Sequence, residues 1–486
     1  MIETGSIHVG RSLTVGHSSQ GKFDEHEAMG SVMTTLFQAR AVGCGESIPV
    51  RRWMTTAVAT LAVVWMPAVE SSAATIHVSP SGSDSAAGTE QAPVASVQAA
   101  VDRATPGDTI LLHDGVFACD RTILLSGSGT PEQPLRLLAA SAARPVLCFE
   151  PLRRSDEEAE RVGSRGILLS GDHWVIEGLE IRHAPDNGLK IEGSHNRVER
   201  CVFHHNGDSG LQIGLGKKSE NDDGARAAHN AIVNCDSFRN FDARTKGENA
   251  DGFACKLYPG AGNSFAGCRA WENADDGWDL FMTTFPVTLD RCWAWHNGDP
   301  GMFPVQGTYS GDGNGFKLGG QDKPASHLVR RCIAFDHPFG SGNGFEDNNN
   351  TAPITLQNCT AWGNRTNFQF KKAAHVLENC VSFAPTKAKS GVAFDADVVC
   401  RNNNWKPDPH PQKPGKYLST LAADEFTGLD AGLAAAARGA DGRLPDNGFA
   451  RPRAGGSLVD VGRDVGLSFA GSAPDLGAVE TESSEF

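Results

Sequence analysis

Four aspartates and one lysine stand in three related stretches, GENADGFACKL, CRAWENADDGWDLF and GNGFKLGG, as Asp251, Asp275, Asp276, Asp279 and Lys317. Brought together, four carboxylates would largely neutralise one another through raised pKa values unless a cation sat among them. An acid-rich, all-oxygen donor set suits Ca²⁺ better than Mg²⁺ or zinc. A lysine beside such a cation is shifted toward its neutral amine and becomes a candidate general base. A cation that only staples two pieces of chain, or a solvated acidic turn, would use the same residues. An isolated strand lysine is ordinarily an ion-pair partner.

This chemistry requires the three stretches to be stacked. Aligning DNGLKI, DSGLQI, ADGFACKL, DDGWDLF, GNGFKLGG and GNGFEDN on their glycines makes a column of the preceding residue: Asn187, Ser209, Asp251, Asp276, Asn314 and Asn343. Two residues after the glycine runs a second column: Lys190, Gln212, Ala254, Asp279, Lys317 and Glu346. On a strand, residues two apart share a face. Asp251 then neighbours Asp276, and Lys317 lies one repeat beyond Asp279. The repeated ENAD at Glu248 and Glu272 would instead pair Asp251 with Asp275, so the register is open by one residue. Lys190 shares the column of Lys317 but is far along it and reads as non-catalytic. Lys256, close to the acids, could touch a substrate or simply form an ion pair.

A second repeat shows what does the stacking. ERCVFHHN, VNCDSFRN, AGCRAWEN, DRCWAWHN, RRCIAFDH and QNCTAWGN carry Cys201, Cys235, Cys268, Cys292, Cys332 and Cys359, and a half-copy carries Cys380. Their spacings run from 21 to 34 residues, with one of 40. These intervals fit the coils of a solenoid. Short β-branched or aromatic runs between Gly, Asn and Asp read as strands, and no segment has the length of a crossover helix. The fold expected is all-β, a right-handed parallel β-helix with a short N-terminal capping helix. Its cysteines would stack inside as reduced, packed thiols, and its asparagines would hydrogen-bond from coil to coil. Cys119 and Cys148, outside the column, are the best candidates for a disulfide.

The 486 residues divide accordingly. Residues 51–74 have the charged, apolar, small-residue order of a secretory signal. Residues 1–50 ahead of it are expected to be a non-native or disordered extension, translation starting near Val50 or Met54. Residues 75–401 form the β-helix, and residues 402–486 a linker and a tail packing back on it. A formal charge of −14 argues against nucleic acid as a partner. It also means that an acidic ligand would need a bridging cation.

The three central stretches, together with VSPSGSDSAAGT, TPGDTILL and APDLGAVE, resemble polysaccharide lyase family 9, the pectate lyases of β-helix fold, over roughly residues 75–486. The resemblance implies that Asp251, Asp275, Asp276 and Asp279 hold Ca²⁺ and that Lys317 is the Brønsted base. It also implies β-elimination on a uronate polymer such as polygalacturonate. The signal-like segment, its apolar run too short to span a bilayer, leads us to expect a secreted protein without stable membrane association, and a β-helix of this size is expected to be a monomer. Two other readings compete. A glycoside hydrolase on the same fold would use paired carboxylates and no metal, and a non-catalytic adhesin or carbohydrate-binding solenoid would tolerate replacement of Lys317.

Overall fold

A computed structural model describes residues 73–153, 164–216, 219, 223–386, 391–395, 397–405, 415–417 and 421–482. The expected extension and the body of the signal segment, residues 1–72, lie outside the described residues, as does most of the expected linker. Each full coil contributes one strand to each of three sheets, which with the end strands hold twelve, eleven and ten strands among the described residues, and the coil-to-coil pairs are parallel apart from the terminal Gly415–Tyr417 strand. The molecule is a right-handed parallel β-helix. Helix Val97–Val101 lies across its N-terminal end. Ser96 caps that helix by accepting from Ala99 N at 3.3 Å, and Val97 and Ala100 are buried in the common core.

Local chemistry explains the coil. At the corner between the twelve- and ten-stranded sheets one residue per turn is left-handed: Arg200, Asn234, Arg291, Arg331, Asn358 and Asn379 have φ of 51–53°. β-Branched residues avoid this region, and none stands at these corners. The next residue is the repeat cysteine. Cys201, Cys235, Cys268, Cys292, Cys332, Cys359 and Cys380 are all buried free thiols within one apolar core. A second corner is built by asparagine. Asn206, Asn240 and Asn273 each donate Nδ2 to Oδ1 of Asn240, Asn273 and Asn297 at 3.0, 2.9 and 3.0 Å. His337 takes the next place, 3.0 Å from Asn297 Nδ2 and 2.7 Å from Asn364 Oδ1. Each amide of this stack thereby finds a partner, as burial demands.

The expected Cys119–Cys148 disulfide is not formed; both thiols are free. In the ladder Cys148 pairs with Ala118, not with Cys119. A one-residue offset turns neighbouring side chains toward opposite faces.

The tail covers the outside of the ten-stranded sheet. Trp295, Phe335, Trp362 and Phe383, together with Trp293, pack under Phe426, Leu444, Phe449 and Leu476. Asp236 anchors this contact. It accepts from Arg269 at 2.8 and 2.7 Å and from Arg438 of the tail at 2.6 Å. Arg269 also donates to the carbonyls of Ala434 and Ala436, both at 2.8 Å, at the end of helix Ala431–Ala434. Burial opposes ionisation of Asp236, yet Arg438 and Arg269 overcome it and hold the carboxyl below its usual range. The stabilisation this gives is present above the unfolded carboxylate pKa and is lost as pH falls through the folded value. Asp236→Asn leaves two buried guanidiniums facing each other and is expected to cost about 3–5 kcal/mol, read from denaturant unfolding at neutral pH. A change below about 0.5 kcal/mol, the size of an ordinary surface substitution, would show the tail to be held by its apolar face alone.

Candidate catalytic and metal site

The eleven-stranded sheet carries the site because its strands alternate. Phe253, Trp278, Phe316, Phe345 and Phe368 point inward and stack with ring centroids 5.1, 4.8, 4.7 and 5.1 Å apart. Each following residue must therefore face outward. The observed register runs Lys190, Gln212, Ala254, Asp279, Lys317, Glu346. The glycines before the aromatics lie where the next coil comes close. A Cβ on Gly277 would meet Gly315 O at 2.6 Å and the Ala294 methyl at 2.9 Å.

The pairing of Phe253 with Trp278 sets Asp251 opposite Asp276, which closes the one-residue ambiguity against Asp275. Asp251 is fully buried; its Oδ2 accepts from Ser209 Oγ at 2.9 Å and from Lys256 Nζ at 2.6 Å. Asp279 accepts from Lys256 Nζ at 3.1 Å and from Phe281 N at 2.9 Å. Asp275 is held by two backbone donors, Asn249 N at 2.8 Å and Asp312 N at 2.7 Å. Asp276 Oδ1 accepts from both nitrogens of Asn314, at 2.8 and 2.9 Å. Its other oxygen, Oδ2, is buried without a hydrogen bond and has the Lys317 ammonium at 3.2 Å as an ion-pair partner. Lys317 is held on its other side by Asp312 at 2.9 Å.

Two overlapping donor sets result. Carboxylate oxygens of Asp251, Asp276 and Asp279 lie within 4.8 Å of one another, and so do those of Asp275, Asp276 and Asp312. Asp276 belongs to both. Burial raises the carboxyl pKa of Asp251 and Asp276 well above the usual range. Lys256 acts against this at Asp251 and Lys317 at Asp276, while neighbouring carboxylates reinforce it. Asp275 is raised for the same first reason. The lysines move the other way from the expectation for a lysine beside a divalent cation. Burial disfavours the ammonium of Lys317, but Asp276, Asp279, Asp275 and Asp312 outweigh it and raise its pKa well above the ordinary value. Lys256, buried between Asp251 and Asp279, is raised likewise. The acids thus hold both lysines protonated when nothing else offsets their charge.

Lys256 is an ion-pair partner here, bridging two of the acids, and Lys190 lies four coils from Lys317 in the shared column. One residue escaped the sequence reading. Asp312 ends an irregular loop, and only its place five residues before Lys317 marks it.

A family model described as "Pel9A-like, right handed beta helix region" matches residues 76–388. Pectate lyase L of Dickeya chrysanthemi is 34% identical over 417 residues, covering 83% of this chain and 90% of that protein. Pectate lyase L of Paenibacillus polymyxa is 37% identical over 383 residues, covering 76% and 80%. Among solved structures, pectate lyase Pel9A superimposes with a TM-score of 0.71 at 32% identity, covering 84% of this chain and 97% of that one.

Proposed function

Since the chain belongs to the Pel9A-like right-handed β-helix family, we propose that it is a secreted, monomeric, Ca²⁺-dependent pectate lyase that cleaves polygalacturonate by β-elimination, with Lys317 as the base. The observation that carries this reading is at Asp276, the residue common to two all-oxygen donor sets: its Oδ2 is buried without a hydrogen bond and faces the Lys317 ammonium. Such an arrangement fits a hard dication, with Asp251, Asp275, Asp276 and Asp279 as the residues that would hold it. When bound, Ca²⁺ would supply positive charge against the negative charge that develops on a uronate carboxylate.

The chain's own residues do the rest. Lys317 takes the proton from C5 of the uronate, α to the carboxylate. The electron pair left at C5 forms the C4–C5 double bond as the C4–O bond breaks. One fragment carries the unsaturated uronide; the departing oxygen stays on the other fragment and takes a proton from solvent to become its new reducing-end hydroxyl. Lys317 must be a neutral amine at that moment, and the surrounding acids oppose this until their charge is offset. Lys256 holds Asp251 and Asp279 in place and offsets part of that charge. An inverting hydrolase built on either donor set fits less well. Inverting glycosidases separate their carboxyls by about 6.5–9.5 Å, whereas each donor set here lies within 4.8 Å.

The test is ultraviolet absorbance of the conjugated product on polygalacturonate, with Ca²⁺ and with chelator. Absorbance should rise only with Ca²⁺. Product formation without new absorbance would favour hydrolysis, and no product at all would favour a binding solenoid. The rate should climb with pH into the alkaline range, because only the deprotonated fraction of Lys317 is a base. An optimum at acid pH would exclude Lys317 from that role.

A further inference from the structure

The geometry points to a second metal site, for a borderline transition dication such as Zn²⁺, built from Cys148, His183 and Glu150 on the outer wall of the N-terminal coils. Strand Pro145–Cys148 turns Leu147 inward, and Phe149 follows it into the core. Alternation therefore turns Cys148 outward, and Glu150, in the turn just after the strand, offers its carboxylate close to the thiol. The next coil pairs Arg182 with Cys148, which brings His183 beside them. Cys148 Sγ lies 3.7 Å from His183 Nδ1, and one ligand atom from each of the three residues falls within 4.8 Å of the other two.

These distances match a tetrahedral ion. Zinc bonds of about 2.3 Å to sulfur and about 2.0–2.1 Å to nitrogen place the two donors about 3.6 Å apart. A thiolate, an imidazole and a carboxylate select zinc-like ions over the Ca²⁺ that suits the all-aspartate site. Three protein ligands leave a fourth position. Two of the three residues, Glu150 and His183, also line a cleft of about 740 Å³, together with His205, Phe241, Met302 and Phe303. An ion held by the three would tie two successive coils together and keep an open coordination position. This inference does not depend on the lyase reading, since none of the three residues belongs to the aspartate–lysine site.

The test uses the full chain in excess Ca²⁺, so that the oxygen site is filled, dialysed against Zn²⁺ and separately against Co²⁺. The wild type should retain one more equivalent of Zn²⁺ than Cys148→Ser or His183→Ala. Its Co²⁺ form should show a thiolate-to-cobalt charge-transfer band that survives Cys119→Ser and disappears in Cys148→Ser. Glu150→Gln alters an exposed side chain, so folding is not at risk; it should weaken Zn²⁺ binding at least about tenfold. Absorbance-detected elimination should be unchanged in all these variants. Equal zinc retention by wild type and Glu150→Gln, or no sulfur-to-cobalt band in the wild type, would overturn the site. The 3.7 Å contact would then be a thiol–imidazole hydrogen bond only.

Discussion

Lys317→Ala is expected to lower the rate of polygalacturonate elimination by on the order of 10²–10⁴-fold, the usual contribution of a positioned general base. The alanine removes the amine that faces Asp276 and Asp312 at 3.2 and 2.9 Å and puts nothing in its place. Charge alone does not account for that loss, and Lys317→Arg separates the two effects. Arginine keeps a cation between the acids but cannot deprotonate in the working pH range. It should fold and bind Ca²⁺ while remaining about as inactive as the alanine variant, with no recovery as pH rises. Initial rates of absorbance increase across pH, with Ca²⁺ binding by calorimetry, measure both. Activity of either variant within tenfold of wild type would remove Lys317 from the chemistry.

Asp276→Asn should have the next largest effect, and on two quantities of opposite sign. The substitution keeps Oδ1 as an acceptor for Asn314 but deletes the charge at the one carboxylate common to both donor sets. Ca²⁺ affinity should fall by more than the roughly 10–100-fold that loss of an outer-shell partner costs. Elimination at a fixed, modest Ca²⁺ concentration should fall with it and recover partly as Ca²⁺ is raised. Stability without Ca²⁺ should instead rise at neutral pH. A carboxyl whose folded pKa is raised contributes stability that is fully present below its unfolded pKa and is lost as pH rises through the folded value. Asp276 is such a group. The asparagine, which never ionises, escapes that loss. Thermal unfolding in chelator at acid and neutral pH reads the difference. A Ca²⁺ affinity equal to wild type would place the metal elsewhere.

How much of this could be read from the chain alone varies with the kind of contact. In a parallel β-helix the nearest neighbour of a residue is the equivalent residue one coil on, so aligning repeats in sequence also aligns them in space. That is why the column from Lys190 to Glu346 and the stacked cysteines and asparagines were all visible beforehand. The glycine and the inward aromatic of each repeat mark the phase of a two-residue alternation, and a slip of one would turn every side chain over. The aspartates could be found by the same rule. Their pairing could not, because DD in one coil faces a single aspartate in the previous one, and both registers keep an acid opposite an acid. Hydrogen bonding of Gly252 N to Asp276 O decides it.

What tertiary structure alone decided lies off the repeat. Asp312 reaches Lys317 through a loop whose irregular backbone carries no period to align. Lys256 turns its ammonium between two acids on neighbouring coils, a side-chain choice that either ion pairing or substrate contact would have allowed in sequence. Arg438 meets Asp236 across 202 residues. Cys148 takes His183 for its neighbour where a second cysteine was expected. The sequence by itself determined the fold and the positions of the acids and the lysine, because periodic burial needs only local pattern to specify it. The partners of those side chains depended on loop closure and long-range packing, which no local pattern encodes.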